Sequence, residues 1–255
     1  MNPLLRFCSS SIGRKWIVAL TGLVLFGFVI GHLIGNLQVF LGPEAINRYG
    51  HFLQSNMEII WPARIGLLVL VALHIWSAVK LSAENKAARP QPYAQQEIVA
   101  ASYASRTMLM SGLIILAFII YHLLHFTVQT KAINLTGTDF TTLKDAEGRH
   151  DVFGMMVRGF SRPLVSLFYM VGMFLLFLHL SHGLSAMFQS LGWKSHAYAA
   201  LIAKFAQVVS WLIFLGYISI PIAILCGYGS NPVTNGLVSD APATGVLGAA
   251  GACPK

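Results

Sequence analysis

Nine histidines stand in a chain of 255 residues that otherwise carries very little charge. Imidazole can bind a metal, shuttle a proton or hydrogen-bond across helices, and its surroundings select among these. His32, His74, His122, His179 and His182 fall deep inside apolar runs, and His125 falls near the end of one. His51, His150 and His196 fall in polar segments. An ionisable residue inside a membrane span usually faces the bundle interior and marks a function. For one histidine, an interhelical hydrogen bond explains the position as well as ligation does. One on each of four helices asks for more.

The elements that carry them are set by composition. Apolar residues make up 56% of the chain and charged residues 10%, against roughly 45–50% and 25% in globular domains. So few charges cannot cover a water-soluble fold. A soluble domain, a disordered chain and a disulfide scaffold are all excluded. Cys8, Cys226 and Cys253 form no CxxC or CxxCH pattern, which leaves no zinc, iron–sulfur or covalent-haem motif. The net charge of +8 comes without a basic run interleaved with aromatics, which suits flanks facing anionic lipid and not nucleic acid.

A spanning helix needs about 20 mostly apolar residues. Five runs qualify: 16–41, 61–79, 107–127, 163–188 and 205–228. The first outruns the apolar stretch of a cleavable signal peptide and lacks a small-residue cleavage site, so it is expected to remain as a span. Pro62 and Pro163 suit helix starts, and Pro221 is expected to kink the fifth helix. Residues 42–60 read as a short loop bearing Glu44, His51 and Glu58. Residues 80–106 read as polar, broken at Arg89-Pro90-Gln91-Pro92, and 131–162 as the longest charged loop. The expectation is an all-α membrane domain over 1–230 with five transmembrane helices, followed by a Gly/Ala/Pro-rich tail over 231–255. Arg14 and Lys15 abut the first helix and nothing basic follows until Arg48, which predicts a cytoplasmic N-terminus.

Depth then sorts the histidines. At 1.5 Å per residue, His32 lies roughly 27 Å beyond Arg14, and His122 roughly 24 Å beyond Arg106, on helices running outward. His74 lies roughly 18 Å beyond Pro62, and His179 roughly 24 Å beyond Pro163, on helices running inward. The result is an outer pair and an inner pair. A bis-histidine haem needs one imidazole from each of two facing helices at one depth, and two such pairs are present. Zinc would want three or four ligands at one depth. The apolar runs hold no acidic residue, which argues against a carboxylate proton relay. With no CxxCH, two haems here would be of b type. Thr21-Gly22-Leu23 precedes His32, and Ser111-Gly112-Leu113 precedes His122, at the same ten-residue spacing from glycine to histidine. This echo is read as support for the outer pair, with glycine allowing close approach of a porphyrin edge or a neighbouring helix.

The chain resembles the cytochrome b membrane-anchor subunit of succinate dehydrogenases and fumarate reductases, in its single-chain di-haem form. The matching stretches are Ser10-Ser11-Ile12-Gly13-Arg14-Lys15, Ala19-Leu20-Thr21-Gly22-Leu23 and Gly31-His32-Leu33-Ile34-Gly35-Asn36-Leu37. Glu44-Ala45-Ile46-Asn47, His51-Phe52-Leu53, His179-Leu180-Ser181-His182-Gly183-Leu184 and Gly192-Trp193 complete them. The resemblance implies four helices forming a haem-binding bundle in a bacterial inner membrane. It also implies a flavoprotein partner that acts on succinate, an iron–sulfur partner on the cytoplasmic face, and quinone, often menaquinone, as the membrane substrate. On this pattern His74 and His179 hold the inner haem, while His32 and His122 hold the outer. Some members carry a glutamate two residues before the fourth ligand for proton movement; Phe177 stands there in this chain.

The remaining residues are weighed by position. His125 and His182 each follow a ligand by three residues, near the outer and inner rims, and suit a haem propionate, a quinone or interfacial water. His51 with Glu58 could serve a quinone on the outer side. Ser11, Arg14 and Lys15 could contact a propionate or quinone on the inner side, with a lipid-facing basic flank as the plainer reading for at least one of them. Glu44, His150 and His196 read as ordinary loop residues. The rivals are a haem b anchor of a formate dehydrogenase or hydrogenase, a histidine-lined transporter, and a haem-free structural anchor.

Overall fold

The computed structural model describes residues 3–88 and 107–230, so the breaker at Arg89-Pro90-Gln91-Pro92 and the tail over 231–255 lie outside it. The described chain is helical: α1 (Pro3–Cys8), α2 (Ser11–Leu37), α3 (Pro43–Ser55), α4 (Met57–Ala87), α5 (Met108–His122), α6 (Val152–Phe160), α7 (Pro163–Ser190) and α8 (Ala199–Leu225). No strand forms among these residues, only an isolated bridge between Lys144 and His150. Helices α2, α4, α5, α7 and α8, with their end turns, are long and apolar enough to cross a membrane. Their exposed side is a belt of large apolar residues such as Phe28, Trp76, Leu113, Phe168 and Leu212, which lipid solvates as readily as a protein core would.

Local chemistry sets the ends. Ser10 caps α2, its Oγ accepting from the Gly13 N–H at 3.0 Å. Asp151 caps α6 through the Gly154 N–H, and Pro163 occupies the first turn of α7 as expected. Helices α7 and α8 close in the same way. Gly192 and Gly227 adopt φ of +78° and +100°, and the following N–H reaches back to Phe188 O and Ala223 O respectively. A residue with Cβ resists that left-handed turn.

Three expectations need correction. Residues 42–60 are not a loop: they hold α3, an amphipathic helix that buries Ile46 and Asn47. Its apolar stripe is too narrow to resemble a span. Pro62 does not start its helix, because α4 begins at Met57 and runs through it. Pro221 lies inside α8, which continues past it to Leu225 with the proline buried. Residues 131–162 fold into a cap centred on Asn47, which is 1% exposed. The Asn47 amide donates to Asp151 Oδ1 at 3.0 Å and Asp145 Oδ2 at 3.3 Å, and its oxygen accepts from the Phe153 N–H at 2.9 Å. Arg149 ties the same cap to α3 through two bonds to Glu44.

Around the bundle, α2 packs on α4, α4 on α5, α5 on α7, and α7 on α2; α8 lies against α7 and α2. The diagonal partners, α2 with α5 and α4 with α7, scarcely approach each other through their backbones. Side chains must bridge the centre.

Candidate functional site

Histidines do so, on both diagonals. His32 of α2 and His122 of α5 face each other with ring centroids 5.7 Å apart. His74 of α4 and His179 of α7 do the same at 6.4 Å. We call the first the far pair and the second the near pair, taking the start of α2 as the near end. Along α2, the near pair lies level with Thr21 and the far pair with His32, a separation of about 16 Å along the axis.

The near pair is held by hydroxyls. Thr21 Oγ1 lies 3.0 Å from His74 Nδ1, and Ser111 Oγ lies 3.4 Å from His179 Nδ1. Each hydroxyl spends its own proton on a carbonyl of its helix, Thr21 on Ile17 O at 2.6 Å and Ser111 on Met108 O at 3.0 Å. The oxygen can then only accept, so Nδ1 of each histidine is the donor and Nε2 keeps its lone pair. That is the tautomer a metal ligand requires. The glycines beside these hydroxyls make room: a Cβ on Gly22 would come 3.2 Å from His74 Cε1, and one on Gly112 would come 3.5 Å from His179 Cε1. The Thr21-Gly22 and Ser111-Gly112 echo therefore serves the near pair, not the far pair that the following histidines form. Antiparallel neighbours place residue 21 beside residue 74, a relation that spacing within one helix does not reveal.

The far pair is held by aromatics. His32 stacks on Phe28 at 5.3 Å and His122 on Phe118 at 6.0 Å. His122 Nδ1 also lies 3.3 Å from Tyr169 Oη. The same phenol lies 3.1 Å from Nδ1 of His125. His125 is not at a rim: it is fully buried, stacked on Phe126 with centroids 4.0 Å apart. Tyr169 was not singled out in the sequence. A tyrosine ten residues before a ligand histidine on the same helix was its only signal.

The other candidates are scattered. His182 is half-buried one turn beyond His179. Ser11 and Arg14 both engage Glu84 of α4, Arg14 as an ion pair, while Lys15 is exposed. His51 and Glu58 are exposed, and His51 reaches only Ser55, at 3.4 Å. Glu44 is not simply solvated, because Arg149 binds it and holds its carboxyl below the usual range. His150 is not an ordinary loop histidine either. Burial lowers its pKa, which leaves a neutral Nε2 to accept from the Gln129 amide at 3.0 Å. His196 is exposed in a short turn before α8. Phe177 is buried against Trp211, with centroids 4.4 Å apart.

The donor set can be tested against haem. No group of three or more His, Cys, Asp or Glu side chains gathers to hold a bare metal ion among the described residues. A porphyrin iron carries four nitrogens of its own and takes one protein ligand on each face, so two facing imidazoles suffice. Two metal–nitrogen bonds of about 2 Å and a ring radius of about 1 Å on each side give centroids about 6 Å apart. The observed 5.7 and 6.4 Å bracket that value. The residues fit the group. Compared with protein-family models, curated proteins and solved structures, the chain matches none.

Proposed function

We propose that this chain is the membrane-anchor cytochrome b subunit of a succinate:quinone oxidoreductase, with two bis-histidine b haems stacked along one four-helix bundle. The observation that carries the reading is the pair of diagonal histidine couples, each spaced so that two imidazoles could hold one iron between them. The stretches that resemble the succinate dehydrogenase and fumarate reductase anchors narrow it further. His74 and His179 would hold one haem, His32 and His122 the other. At those sites haem b would supply one-electron chemistry between an iron–sulfur partner and membrane quinone.

The chain's own residues set the conditions for that transfer. Thr21 and Ser111 fix the near imidazoles in the ligating tautomer, and Tyr169 orients His122. The belt of lipid-facing residues holds the bundle across a bacterial inner membrane, with the basic start of α2 on the cytoplasmic side. There the iron–sulfur and flavoprotein partners would dock, and succinate or fumarate would be handled by the flavoprotein. Quinone, with menaquinone as the leading candidate, would bind beside one of the haems, with exposed His51 and Glu58 as the polar candidates at the far end and Lys15 at the near end.

The test is purification of the chain with its partners. Two haems per chain by pyridine haemochrome, with a b-type band reducible by succinate, is the expected result. A ratio near one overturns the di-haem assignment. No b band makes the chain a haem-free anchor, and reduction by formate or hydrogen instead of succinate assigns it to those enzymes.

A further inference from the structure

We infer that Tyr169 and His125 are positioning residues that hold His122 of the far pair in its ligating tautomer and tune the basicity of that imidazole. The inference rests on the di-haem reading above. It begins with a proton count. Tyr169 Oη has two imidazole neighbours, His122 Nδ1 at 3.3 Å and His125 Nδ1 at 3.1 Å, and one proton to give. It can donate to only one of them, so a hydrogen bond to the other requires that imidazole to donate. Ligation through Nε2 requires His122 to carry its proton on Nδ1, so His122 donates to Tyr169 and Tyr169 donates to His125. The proton of His125 then resides on Nε2.

That last nitrogen is unusual. His125 Nε2 is buried with no hydrogen-bond partner among the described residues, a costly state for a polar group. The backbone departs from α-helical geometry at this residue. Leu123–Thr127 forms a π-helical turn, closed by the Val128 N–H on Leu123 O at 2.7 Å. Such turns recur at functional sites because the extra residue re-aims a side chain. Two residues beyond it, Gln129 sits at φ +60°, a conformation that a non-glycine residue holds only when its surroundings enforce it. The Gln129 amide is engaged by His150 Nε2 and Met155 Sδ. Phe126, Phe140 and Phe160 pack around the His125–Tyr169 pair, excluding water that would compete for these bonds. A histidine needed only as apolar filling would not require a widened turn, a strained residue and a shared phenol.

Tyr169→Phe removes the hydroxyl and keeps the ring, so it separates hydrogen bonding from packing. In the purified complex, optical redox titration should show the far b centre shifted to higher potential, because loss of the Nδ1 acceptor makes the imidazole a poorer donor to ferric iron. The far centre is identified as the one missing in His32→Ala. Haem retention at that site should fall by roughly 10–100-fold, with the near centre unchanged. His125→Gln, which withdraws the nitrogen that Tyr169 donates to, should move the same centre in the same direction by a smaller amount, and provides the reading if Tyr169→Phe does not assemble. Unchanged potentials, or equal shifts at both centres, overturn the inference. Absence of any low-spin b signal in the unsubstituted complex overturns the di-haem reading instead.

Discussion

His74 and His179 each rest on a short hydroxyl whose proton is already committed to its own helix, whereas His122 leans on a phenol shared with a second histidine. His32 has Phe28 as its stacking partner and no side-chain hydrogen bond among the described residues. Two couples of identical residues, on the same diagonal plan, thus differ in how their outer nitrogens are held. An imidazole that donates from Nδ1 is oriented and more basic, so the partners around a ligand tune a metal site as much as the ligand does. The near couple is symmetric and held on both sides. The far couple is asymmetric, held on one side, and covered by the folded segment 131–162 with α3. The two sites should therefore have separate strengths, potentials and sensitivities.

Removing a ligand is the harshest way to break the comparison. His179→Ala or His74→Ala should abolish the near b signal and spare the far one, with His32→Ala and His122→Ala doing the reverse, as seen in reduced-minus-oxidised spectra. His182→Ala should keep both signals. A substitution that erases both would show that the couples are not independent.

Next in size are the glycines. A methyl at Gly22 would meet His74 at 3.2 Å, tighter than nearly all real Cβ contacts, while one at Gly112 would meet His179 at an ordinary 3.5 Å. Gly22→Ala should lower near-site haem content measurably, and Gly112→Ala should leave it close to the unsubstituted value. Equal losses would mean that these rings do not seat as described.

The hydroxyls sharpen the contrast further. Thr21→Val keeps the shape and removes the acceptor 3.0 Å from His74, so near-site haem affinity should drop by about 10–100-fold with a rise in potential. Ser111→Ala removes a longer contact of 3.4 Å and should give a smaller effect of the same sign. Neither should move the far centre.

The smallest effect concerns the cap. Arg149 holds the Glu44 carboxyl below its usual range. Burial pushes Asp145 up, but its bonds to Arg149 and to backbone N–H groups outweigh that and lower it overall. A carboxyl with a depressed folded pKa contributes stability that is fully present above its unfolded value, near 4, and is lost as pH falls through the folded value. Limited proteolysis within 131–162 should therefore accelerate only below about pH 4, with the far b spectrum disturbed before the near one. Arg149→Gln should make cleavage faster at neutral pH and flatten that dependence.

Much of this was legible from residue order. The five spans were visible because about 20 apolar residues in a row have few other uses, and the depth pairing of His32 with His122 and His74 with His179 followed from helix rise and alternating direction alone. The amphipathic helix α3 was not legible, because thirteen residues of mixed polarity look like a loop between two strong apolar signals. Nor was the cap: Asn47 finds Asp145, Asp151 and Phe153 across about a hundred residues of sequence.

Sequence by itself determined the number of helices apolar and long enough to cross a membrane and the pairing by depth of His32 with His122 and of His74 with His179, since each depends only on local composition and a fixed rise per residue. Which helices stand on a diagonal was decided by tertiary packing, as was the placing of Thr21 and Ser111 on the near imidazoles. The burial of His125 beneath Tyr169 was decided there too. Hydrogen bonds between helices depend on rotation and neighbourhood, and a one-dimensional pattern carries neither.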